Sequence, residues 1–206
     1  MKAFYRLCAV VLLFAATAHA QVGNNTVLNA DLATEKELTA LPHMTPALSA
    51  AVVAKRPFAD ATVLDATLGS LSAAQRQEIY AKMFQPINLN AAGEVEMLLI
   101  PGMNKRMAHE FEEYRPYTSL AQFRKEIGKY VDAKEVARLE QYVFIPMNLN
   151  TASEADFATI PGMSKRMVHE FVEYRPYKDI GQFRKEIGKY VDAKEVARFE
   201  RYVTLK

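Results

Sequence analysis

The chain has 206 residues, half of them hydrophobic and 24% charged, which is enough for a sizeable core. Its 26 Lys and Arg stand against 24 Asp and Glu; Lys2 and Arg6 precede position 21, so from there onward the two signs balance at 24 each. That balance excludes a general polyanion sponge, and the lone cysteine, Cys8, excludes a disulfide framework.

Residues 1–20, MKAFYRLCAVVLLFAATAHA, have the build of a secretory signal peptide. Lys2 and Arg6 supply the positive start, Leu7 to Ala16 the apolar run, and Ala18-His19-Ala20 the small-x-small cleavage pattern. The run is too short to cross a bilayer. Cleavage after Ala20 gives the expectation of an exported chain, periplasmic or secreted, with no membrane span.

The rest of the chain repeats itself. Gln122–Arg138, QFRKEIGKYVDAKEVAR, returns unchanged at Gln182–Arg198, and EYRPY returns at the same offset of 60. Upstream, INLNAAGEVEM corresponds to MNLNTASEADF, and a more divergent copy places LPHM (Leu41–Met44) where IPGM stands and KRPF (Lys55–Phe58) where YRPY stands. Three units are expected, at 21–86, 87–146 and 147–206. Links such as Phe144–Asn150 are too short for the units to tumble freely.

Each unit reads as four short helices, and the fold class as all-α, because strand patterns are nearly absent. Thr34-x-x-Glu37 and Ser153-x-x-Asp156 are capping boxes that open first helices. Phe157 and Ile160 then face inward. Pro-Gly turns the chain, since a type II turn takes Gly where φ is positive. Thr45, Asn104 and Ser164 fall at the N-cap of the second helix, with Pro46 at a favoured first position. Met167, Phe171 and Tyr174 line its inner face, and the helix stops at Arg175, because the residue before Pro176 is pushed out of the helical region. Phe183 and Ile187 mark a third helix. Asp192-x-x-Glu195 opens a fourth, with Val196, Phe199 and Val203 facing in.

N-x-N-x-A, a capped helix, a Pro-Gly hairpin, a helix ending in YR and two more short helices resemble the helix-hairpin-helix family, most closely the ComEA-type domain of competence DNA-uptake proteins. The resemblance spans nearly all of the second and third units and, more faintly, the first. It implies sequence-nonspecific binding of double-stranded DNA through hairpin backbone amides. The chain departs from the family pattern PGIGPKK: Asn104 and Ser164 replace the second glycine, the first unit reads PHMTPA, and KYVD (Lys129–Asp132, Lys189–Asp192) stands where a second hairpin is expected.

The candidate phosphate-binding residues are Gly102, Met103, Asn104, Lys105 and Arg106, with Gly162, Met163, Ser164, Lys165 and Arg166 as a second set. A helix N-terminus offers free N–H groups and the positive end of the dipole. Glycine lets the backbone approach a ligand closely, whereas a side chain would shield the amides. Lysine and arginine in a first turn cost about 0.3–1 kcal/mol relative to an acid, a penalty that bound phosphate reverses. The alternative is a solvated surface in which Arg106 pairs with Glu110 and Arg166 with Glu170. Two hairpins with two cations each neutralise about four phosphates, a salt slope of roughly −3.6.

Other constellations favour structure over chemistry. His109/Glu113 and His169/Glu173 are spaced i, i+4 but lack the further ligands of a closed metal site. His43 fits a turn position, and Tyr114, Tyr117, Tyr174 and Tyr177 fit core packing better than base stacking. No nucleophile–base pair or nucleotide loop suggests an enzyme, and no cofactor is expected. A second class of function remains open: a non-catalytic scaffold of an exported complex, with residues 21–86 docking an envelope protein.

Overall fold

The computed structural model describes residues 22–23 and 26–206; the expected signal peptide and its cleavage site lie outside the described residues. Among those residues no helix is long and apolar enough to cross a membrane.

The chain is mostly α-helical. A strand pair, β1 (Leu28–Asn29) and β2 (Met83–Phe84), brackets α1 (Glu35–Thr39), α2 (Pro46–Lys55), α3 (Ala61–Thr67) and α4 (Ala73–Tyr80). Next, β3 (Ile87–Asn88) and β4 (Val143–Phe144) bracket α5 (Glu94–Met97), α6 (Lys105–Glu113), α7 (Leu120–Ile127) and α8 (Ala133–Glu140). Last, β5 (Met147–Asn148) and β6 (Val203–Thr204) bracket α9 (Glu154–Phe157), α10 (Lys165–Glu173), α11 (Ile180–Ile187) and α12 (Ala193–Glu200). These are called here the first, second and third stretches.

The all-α expectation holds as a mostly helical chain, to which the structure adds three pairs of two-residue strands among the described residues. Each pair is parallel, in register Leu28↔Met83, Ile87↔Val143 and Met147↔Val203. A parallel pair needs a long crossover, which four helices supply. Strands this short are too brief to show an alternating pattern. Val203, expected on the last helix, lies instead in β6 beyond the end of α12, although it is buried as expected.

Helix starts follow local side-chain chemistry. Thr34 and Ser153 form reciprocal capping boxes with Glu37 and Asp156. Thr45, Asn104 and Ser164 accept from the N–H groups of Leu48, Met107 and Met167. Such caps contribute about 1 kcal/mol each. Gly102 (φ 76°), Gly162 (φ 74°) and His43 (φ 60°) occupy the left-handed turn before α6, α10 and α2.

Helix ends involve more than the proline rule. α10 stops at Glu173, short of the expected Arg175, and the Arg56–Pro57, Arg115–Pro116 and Arg175–Pro176 bonds are cis. Each of these arginines turns back on the start of its own stretch. Arg175 donates from Nε to Leu149 O and from Nη2 to Ala152 O, each at 2.5 Å. Arg115 does the same to Leu89 O and Ala92 O, and Arg56 to Ala30 O and Ala33 O. In the later stretches, Asn90 and Asn150 brace the same place by accepting from the N–H of Tyr117 and Tyr177, each at 2.7 Å.

Buried side chains gather in two clusters rather than three. One runs from Val27 to Ile145, joining the first and second stretches; the other holds Val22, Phe144 and the third stretch. In the third stretch Phe171 meets Phe157, Phe183 and Phe199 edge to face at 5.1–5.5 Å between centroids, pairs that contribute about 1 kcal/mol beyond their burial.

Arg175→Ala leaves two carbonyls without their charged donor. The expected loss is about 3 kcal/mol of unfolding free energy, read by urea denaturation. Arg175→Lys recovers less than half of it, because one ammonium cannot replace the fork.

Candidate nucleic-acid interface

The five residues of each candidate set come together at one turn and one helix start. Met103 and Met163 close the turn by donating to Ile100 O and Ile160 O at 2.9 and 3.0 Å, while their side chains lean on the core. Asn104 and Ser164 cap α6 and α10. Behind the caps, the N–H groups of Asn104, Lys105 and Arg106 have no acceptor among the described residues, nor do those of Ser164, Lys165 and Arg166. Three amides in a row at the positive end of a dipole can bind an anionic oxygen.

All four cations are exposed. Lys105 Nζ lies 3.4 Å from Glu94, with 81% of its side chain in solvent. Arg166 Nε lies 3.9 Å from Glu170 and its guanidinium sits 5.2 Å from the Tyr190 ring centroid. The Arg106–Glu110 pair does not form: among the described residues neither Arg106 nor Lys165 makes an ion pair. Glu110 and Glu170 are buried, each with its Oε2 lacking a partner among the described residues, while Glu170 Oε1 is the oxygen facing Arg166. The exposed Lys105–Glu94 pair stabilises by under about 1 kcal/mol and leaves Lys105 available to an anion, whereas Arg166 is held between Glu170 and the Tyr190 ring.

The neighbouring loops carry the opposite character. Asp132 and Asp192 cap α8 and α12 by accepting from the N–H of Glu135 and Glu195, so a carboxylate already occupies each of those helix starts. In the first stretch Pro46 lacks an N–H, and His43 Nε2 sits 2.9 Å from Glu78 Oε2.

Tyrosines knit the hairpin to the following loop. Tyr114 and Tyr130 share a hydroxyl hydrogen bond at 2.8 Å, as Tyr174 and Tyr190 do at 2.7 Å. The bond to Tyr114, reinforced by the Glu110 carboxylate, holds the Tyr130 hydroxyl above the usual phenol range; Tyr174 and Glu170 do the same to Tyr190. Lys129 lies 4.7 Å from the Tyr114 ring centroid and bonds Glu126, which raises its ammonium above the usual range. Tyr117 and Tyr177 are core residues, and burial pushes their hydroxyls up. His109 and His169 lie on exposed helix faces 3.7 and 3.4 Å from Glu113 and Glu173. Among the described residues no group of three or more His, Cys, Asp or Glu side chains is placed to hold a metal ion.

Sequence reasoning misses two groups at the site. Arg138 brings Nη2 to 3.5 Å from where a Cβ on Gly102 would lie. On Gly162 the same position meets Arg198 Nη2 at 3.2 Å and the two Leu32 methyls at 3.2 and 3.3 Å. The repeat itself points to the arginines, which close the block shared by Gln122–Arg138 and Gln182–Arg198. Nothing in the sequence ties Leu32 to a turn in the third stretch.

No family model matches the chain, and no solved structure matches it. The chain is 28% identical over 120 residues to Endonuclease/exonuclease/phosphatase family domain-containing protein 1 of Xenopus laevis. That match takes in 43% of this chain and spans 21% of the length of the Xenopus protein.

Gly102→Ala forces a Cβ into the left-handed region and should cost about 1–2 kcal/mol of stability. Gly162→Ala should cost more, because its Cβ also presses on Leu32. Urea denaturation of the two variants side by side reads the difference.

Proposed function

We propose that the chain is an exported, non-catalytic protein of the ComEA-like helix-hairpin-helix kind, built of three such units, that holds double-stranded DNA without sequence preference, in the manner of DNA uptake. One observation carries the reading. At α6 and at α10 a left-handed glycine, three amides unpartnered among the described residues and an exposed lysine–arginine couple come together. Cations at the positive end of a helix dipole carry a cost that a bound phosphate would offset.

Contacts of this type go to the sugar-phosphate backbone and carry no base identity. A phosphate rests on the amides of residues 104–106 and the two side chains complete its charge. The endonuclease and exonuclease in the name of the Xenopus protein denote chemistry on phosphodiesters. The likeness supports a phosphate-bearing ligand, while the small share of that protein matched carries no reaction over to this chain.

A second reading, a protein-docking module, is favoured by the first stretch alone. Its turn carries His43 against Glu78 and no cation, so residues 21–86 suit a protein partner of the cell envelope better than DNA.

The test is binding to random-sequence duplex, followed by fluorescence anisotropy from about 50 to 200 mM salt. The expected outcome is sequence-blind binding that weakens steeply with salt, with a slope no steeper than roughly −3.6. The Lys105→Glu, Arg106→Glu, Lys165→Glu, Arg166→Glu variant should not bind. Equal binding by that variant, or none by the native chain at low salt, would overturn the DNA reading.

A further inference from the structure

The phosphate contacts leave a pair of tyrosines unused. Tyr130 and Tyr190 hold the same place in the block shared by the second and third stretches, in the loops that lead to α8 and α12. Each hydroxyl is tied to the tyrosine just past the hairpin helix, Tyr130 to Tyr114 and Tyr190 to Tyr174. A ring fastened in this way has little side-chain freedom left to lose when a flat partner settles on it.

Arg166 shows how close such a ring lies to the hairpin. It stands in the first turn of α10, yet its guanidinium sits over the Tyr190 ring, 5.2 Å from the centroid. The ring is therefore within one arginine side chain of the amides of residues 164–166, and its face admits a planar group from that side.

Beside α6 the same face is free of a cation. Arg106, the counterpart of Arg166, makes no contact of this kind, and among the described residues no cation lies over the Tyr130 ring. Its ring neighbour is Tyr114, tilted by 48° with the centroids 6.4 Å apart. Tyr130 is also 36% exposed, unlike the buried Tyr117 and Tyr142. Phosphate of any DNA satisfies the cations and amides at this helix start. The ring asks for more: in a duplex the base faces are covered by stacked neighbours, whereas a single strand presents them.

We propose that the α6 hairpin takes single-stranded as well as double-stranded DNA: with a phosphate on the amides of residues 104–106, an unpaired base of the same strand stacks on Tyr130. The proposal rests on the DNA reading above and adds unpaired DNA, such as an overhang or a frayed end, to what that site holds. Stacking of this kind is blind to sequence, because every base has a π-face. At α10 the Arg166 guanidinium already lies on the Tyr190 ring, so that copy contributes less.

The experiment measures binding of the full chain to a labelled random-sequence single strand and to a random-sequence duplex, by fluorescence anisotropy. Tyr130→Leu should weaken single-strand binding by about five- to 150-fold and change duplex binding less than about twofold. Tyr130→Phe, which keeps the ring and gives up the hydroxyl bond, should retain most of the single-strand affinity. Tyr190→Leu should weaken it less than Tyr130→Leu does. The salt dependence of single-strand binding, a slope of roughly −0.7 per phosphate, should be the same in Tyr130→Leu as in the native chain, because stacking releases no counterion. Lys105→Glu with Arg106→Glu should flatten that slope. Equal single-strand binding by Tyr130→Leu and the native chain overturns the stacking site while leaving the DNA reading intact. Parallel losses on single strand and duplex, or a loss in Tyr130→Phe as large as in Tyr130→Leu, mark a structural role and overturn it too. No binding of either DNA by the native chain at low salt sinks the DNA reading and the proposal with it.

Discussion

The arginine before each cis-proline sets the geometry on which the hairpins depend. Arg115 and Arg175 leave the ends of α6 and α10 and fasten to carbonyls at the starts of α5 and α9. The bond therefore clamps the two helices that flank each glycine turn, and the turn is held from both sides before any ligand arrives. Partial burial lowers the basicity of the Arg175 guanidinium, yet guanidinium stays charged throughout the physiological range. A fixed turn offers its amides at no further cost in backbone entropy, which favours binding of a rigid polyanion.

Two copies of one block, folded alike and placed differently, separate what local sequence decides from what surroundings decide. Both blocks form the same helices with the same caps. Both also lead an arginine to a glutamate just past the block's end, Arg124 to Glu140 and Arg184 to Glu200, at 2.6 Å. Arg138 nonetheless keeps a third of its side chain in solvent, while Arg198 is buried. Local chemistry gives the scaffold; position in the assembly gives each copy its availability.

Much of the helical architecture is legible because its signals are local. Caps at Thr34, Thr45, Asn104, Ser153 and Ser164, and positive φ at His43, Gly102 and Gly162, follow from side chains within about one helical turn of each other. The strand pairs are not legible, since their partners lie at opposite ends of a stretch and each strand is a bare dipeptide. The arginine forks show in the sequence only as a stop before proline, because a bond back to a carbonyl near the start of the stretch has no periodic trace. At the candidate site the turn glycines and caps fall where the sequence puts them; of the two ion pairs of the alternative reading, Arg166–Glu170 forms at 3.9 Å and Arg106–Glu110 does not. The contact of Leu32 with Gly162 depends on how distant stretches meet, and no window of sequence holds both.

The division of apolar side chains into two clusters has a mechanical consequence. The boundary runs through β4 and its exit, where Val143 and Ile145 belong to one cluster and Phe144, between them, to the other. Alternate side chains of an extended backbone point to opposite faces, so three successive residues rivet two bodies together like a hinge pin. The Phe144 ring lies 4.6 Å from Tyr202 on one side, while the nearby Tyr142 meets Phe84 at 5.2 Å on the other. The two bodies are joined at this strand and again where Arg201 reaches Ala59, Pro86 and Asp31, so they separate only if both connections break.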